Sequence, residues 1–172
     1  MKKISITLAF VLITFAAVTA QPRAIGLRLG SVLEASYQHG IGEKGFLQAD
    51  AGFLASFRAG TMTLTYNHIL FTPEWTDYGE WNFSVGGGVG GGYYWGHNYA
   101  WERELRYSWV GLTPIAQLSF KFEFPLQLAV DFRPNIGVDI AKKNVYWVDT
   151  NSRVRFHTYG LYDLALSARF CF

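Results

Sequence analysis

The run SVGGGVGGGYYWG, from Ser84 to Gly96, decides how this 172-residue chain is read. Gly86, Gly88 and Gly91 match G-x-G-x-x-G, the pattern of a dinucleotide-binding turn. That turn works only between a strand and a helix of a βαβ unit. The residues after it, Tyr93-Tyr94-Trp95-Gly96-His97-Asn98, carry no helix signal, so the pattern is a chance match in a glycine-rich stretch. The segment alternates instead. Trp81, Phe83, Val85 and Val89 fall on one face, and Asn82, Ser84, Gly86, Gly88 and Gly90 on the other. A period of two is the mark of a strand. One face of this strand has been stripped of side chains.

The same alternation recurs outward in both directions. Ile25, Leu27 and Leu29 oppose Gly26, Arg28 and Gly30; Leu33, Ala35 and Tyr37 oppose Glu34, Ser36 and Gln38. Leu47 to Ala55 and Met62 to His68 follow suit. Further on, Val110 to Phe122, Leu126 to Phe132 and Leu164 to Phe172 complete a set of eight strands. Pro114 and Pro134 fall inside or at the end of two of them, where a ladder donor is lost, so a bulge or break is expected at the first. No stretch after residue 21 shows helical periodicity.

Eight such strands suit two architectures. In a soluble lipocalin-like barrel the apolar stripes point inward; in a membrane barrel they face lipid and the polar stripes fill the lumen. The polar stripes here are rich in Gly, Ser and Thr rather than long charged residues. Small residues suit a narrow lumen. Aromatics gather toward strand ends, with Trp81, Phe83, Phe120, Phe122, Phe170 and Phe172 at one end and Tyr93, Trp95, Tyr107, Trp109 and Tyr159 at the other. Such girdles mark the two lipid–water boundaries. The expected fold is therefore all-β: an eight-stranded antiparallel up-and-down transmembrane β-barrel. Gly86, Gly88, Gly90 and Gly92 would face its lumen, leaving room for bulky groups from the opposite wall.

The N-terminus has a charged start (Lys2, Lys3), an apolar middle and Val18-Thr19-Ala20 before Gln21. These features define a secretory signal peptide over 1–20, leaving a single barrel domain over 21–172. Without Lys2 and Lys3 the fifteen basic residues become thirteen, equal to the thirteen acidic ones. A neutral mature chain lacks the basic face of a nucleic-acid binder. The lone Cys171 forms no internal disulfide.

The signal peptide, the strand lengths and the terminal Phe170-Cys171-Phe172 together resemble the small eight-stranded outer-membrane barrels of Gram-negative bacteria, of the OmpA and OmpX type. The segments AIGLRLG, EASYQHGIG, PLQLAVDFRP and LALSARFCF are similar to a lineage of short barrels within that class. The resemblance implies an outer-membrane location, recognition of Phe170 and Phe172 by the barrel-assembly machinery, a monomeric state and no cofactor. A shared fold does not specify activity.

The inward stripes carry Arg28, Glu34, Asp50, Lys121, Asp131, Arg133, Asp163 and Arg169. Charges in a closed lumen must pair, which predicts a salt-bridge plug. The pairings stay open because barrel shear is not legible. Long outer loops are expected over about 96–106 and 138–157. Lys142, Lys143, Arg153 and Arg155 in the second would contact lipopolysaccharide, making a structural or surface-interaction role the leading expectation. The alternatives are a lipid A-modifying enzyme, a narrow channel or a soluble carrier. The wider class includes lipid A deacylases, but their His-x-Ser pattern is missing; the nearest segment is His157-Thr158-Tyr159. His39, His68, His97 and His157 are read as scattered interfacial side chains without metal-ligand spacing. No catalytic, cofactor or metal site is expected.

Overall fold

A computed structural model describes residues 22–53, 59–98, 103–141, 154–157 and 160–172. The signal peptide expected over 1–20, Lys142, Lys143, Arg153 and Tyr159 lie outside these residues, as does the side chain of Arg155. The strands are β1 (Arg23–Leu29), β2 (Leu33–Ile41), β3 (Gly45–Phe53), β4 (Ala59–Phe71), β5 (Gly79–Asn98), β6 (Arg103–Leu112), β7 (Ile115–Phe122), β8 (Leu126–Phe132), β9 (Ile136–Ala141), β10 (Val154–His157) and β11 (Leu164–Cys171). Three pairs lie end to end: β6 with β7, β8 with β9, and β10 with β11. They make eight staves.

All pairings are antiparallel, and they close a ring. β1 to β5 follow one another, β5 pairs with β6 and β7, β7 with β8, β8 with β11, and β11 with β1. The structure is a closed eight-stranded barrel, the fold that the eight alternating runs predict. Arg23 and Phe172 meet at one end, exchanging backbone bonds of 3.1 and 2.9 Å. We call this the terminus end. The turns 42–44, 72–78 and 123–125 lie there too; Gly42, with φ of 66°, supplies the left-handed corner of the first. The opposite, loop end holds the tight 30–32 turn.

The alternation is inverted relative to a water-soluble barrel. Leu27, Leu64, Leu128 and Phe132 are all exposed on the outer wall, and Met62 is 70% exposed. The most buried large side chains are charged: Arg28 at 0%, Arg169 at 1% and Arg133 at 2%. The core of this molecule is its polar lumen.

Pro114 interrupts the strand where expected, between β6 and β7. Thr113 still exchanges both backbone bonds with Gly88, at 3.0 and 3.2 Å. In an antiparallel ladder the next residue turns its backbone groups the other way. For Pro114 that way is toward β8 and β9. Leu112 pairs with Ile136 and Ala116 with Phe132, so one register spans the break and Pro114 stands opposite Pro134. Two residues without N–H groups face each other, and the ladder lacks one rung.

The second long outer loop is shorter than expected. Residues 136–141 are strand β9 and residues 154–157 are β10, leaving 142–153 between them. Ile136, Val138 and Ile140 point outward, and Gly137, Asp139 and Ala141 inward, so the alternation resumes beyond Pro134. The polar Asp139 and the proline hide that continuation. The first outer loop shortens likewise, because β5 runs to Asn98 and β6 starts at Arg103.

Candidate functional site

The glycine-rich wall and the charged wall face each other across the lumen. On β5, a side chain at Gly86 or Gly88 would strike the backbone of β4: a Cβ at Gly88 would stand 1.9 Å from the carbonyl oxygen of Leu64. Gly90 and Gly92 make room for one indole. Cβ atoms there would lie 2.9 Å from Trp109 Cη2 and 2.4 Å from Trp109 Nε1. The stripped face therefore permits close strand approach at its lower half and receives Trp109 at its upper half.

Trp109 corrects a sequence expectation. It is 7% exposed and points inward, so it does not belong to the outer girdle. Val110 and Leu112 point outward, which fixes Trp109 on the lumen face. Tyr107 shares that face and stacks on Tyr94 with centroids 5.0 Å apart. The outward aromatics at the loop end include Phe53, Tyr93, Trp95 and Phe156. At the terminus end, Phe71 stacks on Phe83, Trp75 meets Trp81, Trp81 meets Phe120, and Phe170 stacks on Phe172.

His157 corrects a second expectation. It is 2% exposed, stacks on Trp109 at 4.6 Å and 7°, and shares a 2.6 Å bond between Nδ1 and Asp139 Oδ1. It is a lumen residue brought in by β10, a strand not foreseen. Its pairing with Asp139 was invisible because both were assigned to a loop. Gly111, Gly137 and His157 occupy neighbouring register positions, so the wall beside the imidazole is bare of side chains. His39 and His68 do lie near the terminus end, with Tyr37 Oη 3.5 Å from His39 Nδ1.

Six of the eight predicted lumen charges form one network. Arg28 of β1 bonds Glu34 at 2.8 Å, Asp163 at 2.8 Å and both carboxylate oxygens of Asp131. Arg133, held in the break beside Pro134, bonds Glu34 and Asp50 at 2.6 Å each and Thr63 at 2.7 Å. Glu34 is thus shared by both guanidinium groups. The Ser31 N–H donates to Asp163 Oδ1 at 2.9 Å. At the other end, Gln48 donates to Asp50 at 2.8 Å and Gln38 to Gln48 at 2.9 Å. A continuous chain of polar contacts runs from the 30–32 turn toward the terminus end. Because a guanidinium does not give up its proton, the chain is a brace rather than a proton relay.

The other two charges stand apart. Arg169 is buried but bonds hydroxyls, donating to Ser36 at 2.9 Å and Ser167 at 3.2 Å. Lys121 is exposed at the terminus end. It lines a cavity of about 770 Å³ that opens there. Phe170 is exposed on the outer wall, and Phe172 is exposed at the terminus end, where it also borders that cavity.

No family model, no curated protein and no solved structure matches the chain.

Proposed function

We propose that the protein is an integral outer-membrane barrel of a Gram-negative bacterium, with a sealed lumen and a structural or surface-contact role. The observation that carries this reading is the inversion of polarity around the ring. Large apolar side chains cover the outer wall on every stave, while arginines and carboxylates are buried inside. In water this arrangement leaves a greasy surface far beyond the patch size soluble monomers tolerate. In lipid it satisfies both faces, because a closed barrel leaves no unpaired strand edge.

The girdles support the same reading. Ten residues of β5 separate Phe83 from Tyr93. At about 3.4 Å per residue and a tilt near 40°, they span about 25 Å, the height of an outer-membrane apolar band. The terminus end would face the periplasm and the longer loops the outside. Lys142, Lys143, Arg153 and Arg155 would then meet the phosphorylated sugars of lipopolysaccharide, and Phe170 and Phe172 would serve the assembly machinery. The brace across the lumen favours a plug over a channel.

Gel migration of protein extracted from separated membranes tests the location. The barrel is expected in the outer-membrane fraction, migrating faster unboiled than boiled. Recovery in the osmotic-shock fluid would overturn the proposal.

A further inference from the structure

The terminus-end cavity plays no part in the proposed role, and its lining is not that of a plain rim. Phe46, Ile69, Phe122 and Phe124 give it apolar walls. Its polar lining includes Gln38, Asn82, Ser119 and Gln127. Its charges are of both signs, with Arg23 and Lys121 against Glu43, Glu80 and Glu123. Asn82 is satisfied within the wall, accepting from Thr72 and donating to Glu80, and Gln38 donates to Gln48, but two other lining residues carry unpartnered atoms. Gln127 Oε1 and the Arg23 Nε and Nη2 atoms are enclosed and make no hydrogen bond.

One inward row deeper than Asn82 and Ser119, the same walls carry Ser84 and Gln117, paired in register. Both are 1% exposed. Ser84 Oγ and both polar atoms of the Gln117 amide are also without partners. These two lie beyond the cavity's lining, and other unpartnered polar atoms are spread through the lumen, at Asn67, Thr113 and Asn135 among others. The volume falls in the range of small-ligand sites.

We infer that this cavity binds a short peptide carrying both a positive and a negative charge. The free Oε1 of Gln127 and the free Arg23 N–H groups offer an acceptor and donors together, which is what a peptide backbone presents in return. The phenylalanine walls take an apolar side chain. Charges of both signs at the mouth match the two ends of a short peptide. The inference does not depend on the membrane reading, since the cavity belongs to the barrel as folded.

Cys171 lines the cavity and is the sole cysteine of the chain, so it reports occupancy. The experiment follows its reaction with a small thiol reagent in the purified, folded protein. Leucyl-glycyl-lysine at millimolar concentration is expected to slow the reaction at least fivefold, while maltotriose and spermidine leave it unchanged. Lys121→Ala, Glu80→Gln and Gln127→Leu should each reduce that protection. Retention of the unboiled gel shift shows that each variant is folded. Absence of protection by the peptide overturns the inference. So does equal protection by the sugar or the polyamine, or protection that survives all three substitutions.

Discussion

At the level of single residues, neighbouring glycines have opposite duties. Gly88 faces inward, against the Leu64 carbonyl, whereas Gly87 faces outward with nothing nearer to an added Cβ than Pro114 Cα at 3.8 Å. Gly88→Ala must push two strand backbones apart and is expected to lose at least about 1–3 kcal/mol, the usual cost of overpacking. Gly87→Ala should stay within about 0.5 kcal/mol of the parent. Urea unfolding of the two variants side by side measures the difference. Arg133 offers the second residue-scale test. Arg133→Met leaves Glu34 and Asp50 each short of a cation, and breaking a buried pair from one side costs about 3–5 kcal/mol. Adding Asp50→Asn should recover part of the loss in the same assay; equal stability of Arg133→Met and the parent would deny the brace its role. Period-two alternation placed Arg28, Glu34, Asp50, Asp131 and Arg133 on the inner face from sequence alone. Which arginine meets which carboxylate depends on stagger between strands distant in sequence, as with Arg28 and Asp131, and no local pattern encodes that.

Among the elements, the stave formed by β6 and β7 and the one formed by β8 and β9 meet across a gap in their ladder. Pro114 and Pro134 face each other at a position where two backbone bonds would otherwise form. A net hydrogen bond contributes about 0.5–1.5 kcal/mol, so Pro114→Ala with Pro134→Ala should stabilise the barrel by about 1–2 kcal/mol. An unchanged or lower unfolding midpoint would show that the gap relieves strain elsewhere. The sequence disclosed each proline as a break but not their meeting, which needs the register of both strands. It also concealed β9 and β10. Their outward residues, Ile136, Val138, Ile140, Val154 and Phe156, alternate as strands should. Short length and flanking charges masked the pattern, and with it the stacking of His157 on Trp109. Trp109 itself was readable: Val110 and Leu112 point outward, and strict alternation already assigns Trp109 to the lumen.

For the whole molecule, fold and polarity follow from one fact, that hydrophobic and polar stripes alternate over eight staves which close on themselves. Closure removes edges, and a narrow ring leaves space only for small residues and paired charges. The account therefore stands on what touches the outer stripe. The most direct measurement is collision of a nitroxide label with oxygen and with a water-soluble nickel complex. The label is attached at Leu64→Cys, in a Cys171→Ser background, after reconstitution into liposomes. The account predicts frequent collisions with oxygen and few with nickel, as for a side chain among acyl tails. Free access of nickel to the label, or a label immobilised inside the protein, would contradict it.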